Sequence, residues 1–483
     1  MNKKRALSAF MHTPAGKQYL TRTLLNTLTG RMEDLVSLEK HLDHVEGIPG
    51  IEEFFTSLVA GAKNAAGTAL LFQRLGRALS LRSKQKLIEN LIYNWAIAGE
   101  HTRRKFRSRN IHVPRFIVIS PSMRCNLNCT GCYSGLYHKQ KELKEVEIRR
   151  ILDQSRDFGG YFVVVSGGEP FVHTERWLNL FKHYHDMFFL VYTNGTLITD
   201  PVAERIASLG NVACAVSLEG WEEQTDARRG AGVYRKAISA VKRLSEAGAI
   251  AGTSITYTRD TIDTTVSEEF VKHLIDIGAV FSWYFMFMPV GKDPILELVP
   301  TPEQRYTAGN TLAEIRRNHP IFLADFWNDG PAAGGCLAAG RVYLHILHDG
   351  RIEPCVFAHF GEENIRDTSI IEAVQSPFFT QIRDSFPYNS IGNLKRPCMI
   401  IDNPEVLRHA VHEHIVHPGH PSGEDLIDDE EITTWIDRYA HSYAQITDPI
   451  WLEMINNPDS PWYKHKKKYQ QLFSKRENCL LHT

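Results

Sequence analysis

The sequence predicts an α/β fold: a partial six-unit (β/α) barrel, with a helical region before it and a cysteine-bearing region after it. Apolar, β-branched or aromatic runs alternate with amphipathic stretches from about residue 114 to 320, a pattern typical of a parallel sheet covered by helices. Polar or glycine-rich residues end each predicted strand, where the chemistry of such a barrel lies. The expected regions are 1–112, 113–325, 326–402 and 403–483.

Composition limits the class of protein. The 483 residues have a formal net charge of -1 and 43% hydrophobic residues, which fits a large globular chain with no overall attraction to nucleic acid. No apolar run approaches the roughly 20 residues of a membrane span. No secretory leader follows the basic N-terminus, so a cytoplasmic location is expected. The eight cysteines then indicate metal ligands or thiols rather than disulfides.

The first predicted region is helical and basic. Helical periodicity covers Gln18 to Leu38, Ile51 to Ala62 and Leu70 to Ile97, with a turn near Pro49. No strand is expected before residue 114. We interpret the basic run at 103–109 as a solvated helix end. The alternative is a peripheral contact with an anionic partner, such as a lipid headgroup, through this basic region.

The barrel units can be predicted one by one from the alternation. Strands are expected to begin near Phe116, Phe162, Phe188, Val212, Gly252 and Ser282. Helices are expected between them over 146–158, 177–185, 202–209, 234–247 and 270–277. The tail after residue 401 is rich in His and Pro and then helical.

A first cysteine set directly follows the first predicted strand and consists of Cys125, Cys129 and Cys132. Three thiolates can bind three irons of a cubane cluster and leave the fourth open. An open iron can chelate a small molecule through an amine and a carboxylate. The alternative is a zinc site with a remote fourth ligand, since the loop holds no fourth Cys or His. We interpret Cys214 as a buried apolar side chain.

This cysteine spacing, followed by the aromatic Tyr133, resembles the signature of the radical S-adenosylmethionine (SAM) superfamily. The segment 165–170 resembles the superfamily's GGE motif, which binds the methionyl amine. The resemblance assigns cofactor binding to residues at the ends of four successive strands, namely Tyr133, Ser166, Gly167, Gly168, Glu169, Asn194, Ser217 and either Arg228 or Arg229. An ordinary turn or cap role is the alternative for Asn194 and Ser217. Many relatives carry Asp where Glu219 stands.

The resemblance also implies a reaction. A reduced 4Fe-4S cluster on Cys125, Cys129 and Cys132 would cleave SAM to a 5′-deoxyadenosyl radical, which would abstract hydrogen from an unidentified peptide, lipid or small metabolite. A small reductant protein of the flavodoxin or ferredoxin type would supply the electron. The Met and aromatic face of the sixth strand is either plain core or a surface for the adenine. The alternative function is a non-catalytic iron–sulfur electron carrier or redox sensor.

A second cysteine set, Cys336, Cys355 and Cys398, surrounds a hairpin predicted to turn at Asp349 and Gly350. Its spacing resembles the auxiliary cluster region of SPASM and Twitch domains, and the lack of a Cys-x₂-Cys pair favours the Twitch type. The resemblance implies a second 4Fe-4S cluster in 326–402. Its fourth iron would be open, or held by one of four candidates: His345, His359, Asp402 and Cys479. Zinc, or no metal, is the alternative.

Overall fold

The centre of the fold is a nine-stranded sheet in the order β7-β6-β5-β4-β3-β2-β1-β8-β9. The structure, a computed structural model, describes residues 13–29, 66–292, 294–420, 422–460 and 462–463. The strands of this sheet are β1 Ile117–Ile119, β2 Phe162–Val165, β3 Phe188–Thr193, β4 Val212–Leu218, β5 Ile250–Tyr257, β6 Phe281–Met286, β7 Phe322–Asp325, β8 His345–Ile346 and β9 Ile352–Glu353. Strands β1 to β7 run parallel, which confirms the predicted α/β class with a barrel-like parallel sheet.

Helices cover this sheet and extend beyond it at both ends. They are α1 Pro14–Thr29, α2 Ala66–Ala78, α3 Leu81–Lys86, α4 Gly99–Arg107, α5 Glu145–Asp157, α6 Thr174–His183, α7 Asp200–Leu209, α8 Glu222–Arg229, α9 Val233–Glu246, α10 Ile262–Thr265, α11 Glu268–Asp276, α12 Pro302–Asn318, α13 Gly330–Ala333, α14 Ile370–Val374, α15 Pro377–Asp384, α16 Pro404–Glu413, α17 Asp425–Asp428 and α18 Glu430–Asn456. A π-helical segment, Leu87–Ala98, joins α3 to α4, and a small antiparallel pair is formed by β10 Phe360–Gly361 and β11 His417–Pro418.

The central strands are buried on both faces, which explains their continuous apolar sequences. In β4 every residue except Ser217 is buried. Helix starts follow ordinary capping rules: the Ser267 side chain accepts from the Phe270 amide at the start of α11, and Thr301 and Gln304 form a capping box before α12. The barrel strands and helices begin and end within a few residues of the predicted positions.

Two features of the sheet were not predicted. Strand β7 adds a seventh parallel strand, with Phe281 of β6 opposite Phe322. It has only four residues and Phe322 is half exposed, so it lacks a long apolar run. The predicted hairpin is present as β8 and β9, but β8 also pairs in parallel with β1, with Val118 opposite His345. The second cysteine set is therefore attached directly to the barrel sheet.

The described part of the N-terminal region is mainly helical, and no strand precedes β1 in residues 13–29 and 66–116. The helix expected from Gln18 is observed as α1, and the long helix expected from Leu70 is broken near Leu79 into α2, α3 and the π-helical segment. The predicted helix at Ile51 to Ala62, the turn near Pro49 and the thiol of Cys479 lie outside the described residues. Within the described residues, no helix combines the length and apolarity that crossing a membrane requires.

The basic run at 103–109 is only partly solvated. The Arg103 side chain is fully buried: Nη1 donates to the Gly159 carbonyl at 2.5 Å and Nη2 to the Trp95 carbonyl at 3.0 Å. Arg104 shares the carboxylate of Glu100 with Arg103, but its side chain is 41% exposed. The solvated interpretation was thus wrong for Arg103, which ties α4 to the loop after α5.

We predict that Arg103→Gln lowers the free energy of unfolding by about 2–3 kcal/mol, because the Gly159 carbonyl and the Glu100 carboxylate lose a buried donor. Arg104→Gln is the matched control, and its cost is about 0.5 kcal/mol or less, since exposed ion pairs contribute little. Urea unfolding followed by circular dichroism measures both. Equal losses in the two variants would contradict a structural role for Arg103.

Candidate functional site

The carboxyl ends of β1 to β6 surround a cavity of about 270 Å³. All three thiols of the first cysteine set line this cavity. So do most of the other residues that the sequence singled out: Tyr133, Ser166, Gly167, Gly168, Asn194, Ser217, Arg228 and Arg229. Glu169 is not among the lining residues. The fold therefore brings together side chains separated by about a hundred positions in the sequence.

The Arg228 side chain holds the loop that carries Cys125, Cys129 and Cys132 by binding the loop's backbone carbonyls. Arg228 donates from Nε to the Thr130 carbonyl at 3.1 Å and from Nη2 to the Gly131 carbonyl at 3.2 Å. The three cysteines are free thiols and are partly exposed to the cavity. Burial raises the pKa of Cys129, while the positive charges of Arg229 and Arg228 act in the opposite direction. The two arginines thus favour the thiolate, which is the form that binds metal.

Glycines 167 and 168 allow the end of β2 to lie directly against the cysteine loop. A Cβ on Gly168 would stand 2.2 Å from the carbonyl oxygen of Arg124, and Gly167 has a φ of +118. The Gly168 amide donates to the Ser122 carbonyl at 3.0 Å. Only glycine permits this approach. The two loops therefore form one continuous wall of the cavity.

Glu169 is buried behind that wall rather than facing the cavity. Its carboxylate accepts three hydrogen bonds: from the Phe171 amide at 3.0 Å, the Thr193 hydroxyl at 2.7 Å and the Asn194 amide at 2.6 Å. Burial raises the pKa of Glu169, and these hydrogen bonds oppose that shift. Its observed contacts fasten the end of β2 to the end of β3.

Asn194 connects the end of β3 to the first cysteine loop. Its Nδ2 donates to the Asn126 side-chain oxygen at 2.8 Å and lies 3.9 Å from the Cys125 sulfur. The Thr196 amide donates back to Asn194 Oδ1 at 2.9 Å, which fixes the orientation of the amide. The geometry gives Asn194 a contact with the cysteine loop in addition to an ordinary turn role.

Glu219 was not selected from the sequence, yet it controls the charge of the site. It is 1% exposed and binds two arginines, with Arg228 Nη1 at 2.6 Å from Oε2 and Arg229 Nε at 2.7 Å from Oε1. Burial alone would lower the pKa of Arg229, and the charge of Glu219 reverses this. The sequence does contain a signal for this ion pairing, because two consecutive arginines follow an acidic residue at the end of a predicted strand.

The rest of the cavity is apolar and largely aromatic. The stripe predicted on β6 lines it through Trp283, Phe285 and Met286, and Phe287 and Met288 continue the same wall. Among the described residues that line the cavity, the charged side chains are Lys139, Arg228 and Arg229 besides the thiols, and none is a carboxylate. The cavity thus has a polar wall at the cysteines and an apolar interior.

A second cavity, of about 290 Å³, is lined by all three residues of the second cysteine set, Cys336, Cys355 and Cys398. Burial raises the pKa of Cys355 to about 12, and the Tyr343 hydroxyl donates to its sulfur at 3.0 Å. Five residues line both cavities and form a shared wall: Trp283, Phe326, Leu337, Tyr343 and Phe357. One largely aromatic layer therefore separates the two cysteine sets.

The described candidates for a fourth ligand do not line the second cavity. Asp402 is fully buried in an ion pair with Arg305, at 2.5 and 3.1 Å, and accepts the Cys398 amide at 2.9 Å. His345 and His359 belong to a separate polar cluster. A carboxylate that the sequence did not single out, Asp325 at the end of β7, does line the cavity. Burial raises its pKa to about 6.

That polar cluster is attached to the end of β1, which precedes the first cysteine loop. His345 hydrogen-bonds with the Ser120 hydroxyl at 2.7 Å and with Glu353 at 3.1 Å, and His359 hydrogen-bonds with His420. The remaining members, Tyr137 and His348, are also buried. Burial lowers the pKa of His345 to about 3 and that of His420 to about 4. These histidines are neutral in the folded chain at neutral pH.

A single metal ion needs three or more ligand side chains that converge on one point. Among the residues that the structure describes, no group of three or more His, Cys, Asp or Glu side chains meets that condition. A cubane cluster distributes its ligands over several irons. Three thiols around one shared cavity therefore suit a cluster, and both cysteine sets have this arrangement.

Comparison with known proteins agrees with this geometry. The family model described as the radical SAM superfamily matches residues 119–277. Mycofactocin maturase MftC of Mycolicibacterium smegmatis is 30% identical over 269 residues, which are 52% of this chain and 66% of that protein, slightly under two thirds of its length. AdoMet-dependent heme synthase of Oleidesulfovibrio alaskensis is 24% identical over 307 residues, or 57% of this chain and 78% of that protein.

A solved structure shares the fold. Streptococcus suis SuiB, bound to its precursor peptide SuiA, superposes with a TM-score of 0.52 at 18% sequence identity, covering 69% of this chain and 80% of that one. At that identity the likeness concerns the fold alone. It spans more of the chain than the family model, which ends at residue 277.

We predict that acid destabilises the folded chain partly through His420. Its pKa is below the usual 6.5 when folded, so the unfolded chain binds the proton first and stability is lost as the pH falls from about 6.5 towards 4. At pH 5 this one group accounts for about 1–2 kcal/mol. The loss between pH 7.5 and 5 is therefore smaller in His420→Gln than in the unaltered chain.

The matched control is His409→Gln, a histidine whose side chain is 65% exposed. Urea unfolding at the two pH values gives the comparison. Glu353, whose pKa burial raises, works in the opposite direction but is common to all three proteins and cancels. An unchanged pH dependence in His420→Gln would remove His420 as a source of acid sensitivity.

Proposed function

We propose that this chain, an enzyme that belongs to the radical SAM superfamily, holds the family's 4Fe-4S cluster through Cys125, Cys129 and Cys132 and uses it to modify an apolar side chain of a peptide. The observation that carries the proposal is the shared cavity. Three thiols line it together with a glycine edge at the end of β2, an asparagine at the end of β3 and an arginine at the end of α8. A protein that only carries electrons does not need the glycine edge, the asparagine or the arginine.

The residues at the polar wall suit the two cofactors. When bound, the reduced cluster supplies the electron that cleaves SAM into methionine and a 5′-deoxyadenosyl radical. Gly167 and Gly168 offer a wall free of side chains, which permits close approach of an amino acid head group. Ser217, at the end of β4, offers a hydroxyl to the same cavity.

Arg229 is proposed to attract the carboxylate of SAM while Glu219 limits its positive charge. Its guanidinium is buried and already bound to Glu219. A buried arginine without that partner would be costly, so the pair supplies a fixed donor rather than a free cation. Tyr133, whose hydroxyl hydrogen-bonds with Ser166 at 2.9 Å, is proposed to fix the edge of the wall next to Cys132.

The apolar interior indicates the chemistry of the reacting group. Beyond the polar wall, β6 and the shared wall present Trp283, Phe285 and Phe357 to the cavity. A charged group placed there would lose its hydration without a partner. A tetrapyrrole with carboxylate side chains is therefore disfavoured relative to an apolar side chain. Two relatives support a peptide substrate: MftC by its name as a maturase, and SuiB by its complex with a precursor peptide.

The second cysteine set is proposed to hold an auxiliary 4Fe-4S cluster. Cys336, Cys355 and Cys398 come from three separate segments, yet they line one cavity next to the first. Since one aromatic layer separates the cavities, a cluster there would lie close to the substrate. A small reductant protein of the flavodoxin or ferredoxin type is proposed to deliver electrons.

We predict that the anaerobically reconstituted chain forms 5′-deoxyadenosine from SAM in the presence of dithionite. Cys129→Ala abolishes this product, because the cluster then loses one of three thiolates. Cys214→Ala is the matched control: this cysteine is fully buried in β4, outside the first cysteine set, and its variant retains the activity. Chromatography with mass detection measures the product. An iron-loaded chain that yields no 5′-deoxyadenosine would favour the electron carrier.

We predict that Cys398→Ala lowers the bound iron by about one half while leaving the cluster at the first cysteine set intact. The variant still forms 5′-deoxyadenosine, because the first cavity does not contain Cys398. Iron and sulfide analysis with electron paramagnetic resonance measures both quantities, again with Cys214→Ala as the control. Unchanged iron content in Cys398→Ala would contradict a second cluster on these cysteines.

A further inference from the structure

We propose that Tyr343 is a positioning residue that raises the reduction potential of the auxiliary cluster by donating a phenol hydrogen bond to its ligand Cys355. This inference rests on the proposed auxiliary cluster. It assigns a role to a tyrosine that neither the cysteine spacing nor the SAM site involves.

The phenol of Tyr343 contacts one of the three cysteines. The Tyr343 hydroxyl donates to the Cys355 sulfur at 3.0 Å. Both residues are almost fully buried: Tyr343 is 2% exposed and Cys355 is 7% exposed. The Cys355 sulfur therefore has a directed donor that water does not replace.

A backbone amide adds a further donor at the same cavity. The Ile400 amide donates to the Cys398 sulfur at 3.4 Å. Most of the other residues that line the cavity are apolar. In such surroundings each donor has a strong effect on a charged acceptor. The Tyr343 phenol is a donor that a substitution can remove without altering the backbone.

The direction of the effect follows from charge. Reduction adds one negative charge to a cluster, and part of that charge lies on the thiolate sulfurs. A hydrogen bond to a sulfur stabilises the reduced form more than the oxidised form, and such bonds are among the determinants of cluster potential. Removing one phenol hydroxyl therefore makes the cluster harder to reduce.

The position of Tyr343 gives this tuning a consequence for the reaction. Its ring belongs to the shared wall between the cavities and stacks on Phe116, with centroids 5.4 Å apart and planes 9° apart. Phe116 lines the first cavity. A substrate radical formed in the first cavity would face this wall, and a higher potential behind it favours transfer of the radical's electron to the auxiliary cluster.

The test uses the full chain with Cys125, Cys129 and Cys132 replaced by alanine, so that the remaining cluster signal comes from the second cysteine set. Redox titration followed by electron paramagnetic resonance gives the midpoint potential. Tyr343→Phe is expected to shift the reduction equilibrium about tenfold towards the oxidised form, or about 59 mV more negative for one electron. Tyr184→Phe is the control: this buried hydroxyl donates to the Arg149 carbonyl at 3.1 Å and should leave the potential unchanged.

A second measurement separates tuning from packing. After exchange into deuterated water, electron–nuclear double resonance should detect an exchangeable proton coupled to the cluster, and this coupling should weaken in Tyr343→Phe. An unchanged midpoint in Tyr343→Phe, at unchanged iron content, would overturn the inference while leaving the auxiliary cluster in place. Iron loss in Tyr343→Phe would assign the phenol to cluster retention and also overturn it. No cluster signal in the parent chain would overturn the auxiliary cluster and this inference together.

Discussion

Parallel pairing of β1 with neighbours on both sides is the constraint on which the functional site depends. The strand has only three residues, yet Val118 lies opposite Val164 of β2 and His345 of β8. The first cysteine loop begins immediately after it, and the hairpin that leads to Cys355 begins at its other neighbour. A shift of one residue in either pairing would reverse which side chains face the cavity. One short strand thus sets the position of both cysteine sets.

The shared wall follows from this arrangement. Because β8 is attached to β1 and β7 to β6, the cysteine-bearing segments after β7 and β9 are brought against the interior face of the barrel. Phe357 lies two residues after Cys355, and its ring contacts that of Tyr133, next to Cys132, with centroids 5.6 Å apart. The two sites are therefore adjacent in space although more than two hundred residues separate them.

The sequence was informative where local pattern determines structure. Alternation of apolar runs and amphipathic helices predicted six strands. The resemblance carried by the cysteine and glycine motifs grouped residues most of which line the first cavity. The features it missed depend on pairing between distant segments. Strand β7 is too short to show a pattern, and nothing in the hairpin's own residues marks β8 as a neighbour of β1. Arg103 belongs to a basic run, and only its contact with Gly159 shows that it is buried.

The charge balance at the first cavity shows how such long-range contacts decide chemistry. Arg228 and Arg229 would place two buried positive charges beside the cysteine loop, an expensive arrangement without a partner. Glu219 offers one carboxylate oxygen to each arginine, so one negative charge offsets part of two positive ones. The remaining positive charge faces the thiols. The proposed cofactor site, with its thiolates and an anionic head group, needs this surplus. Removing Glu219 would leave both arginines without a carboxylate partner in a largely apolar cavity. We therefore regard Glu219, rather than either arginine alone, as the residue that allows two positive charges to lie inside the barrel.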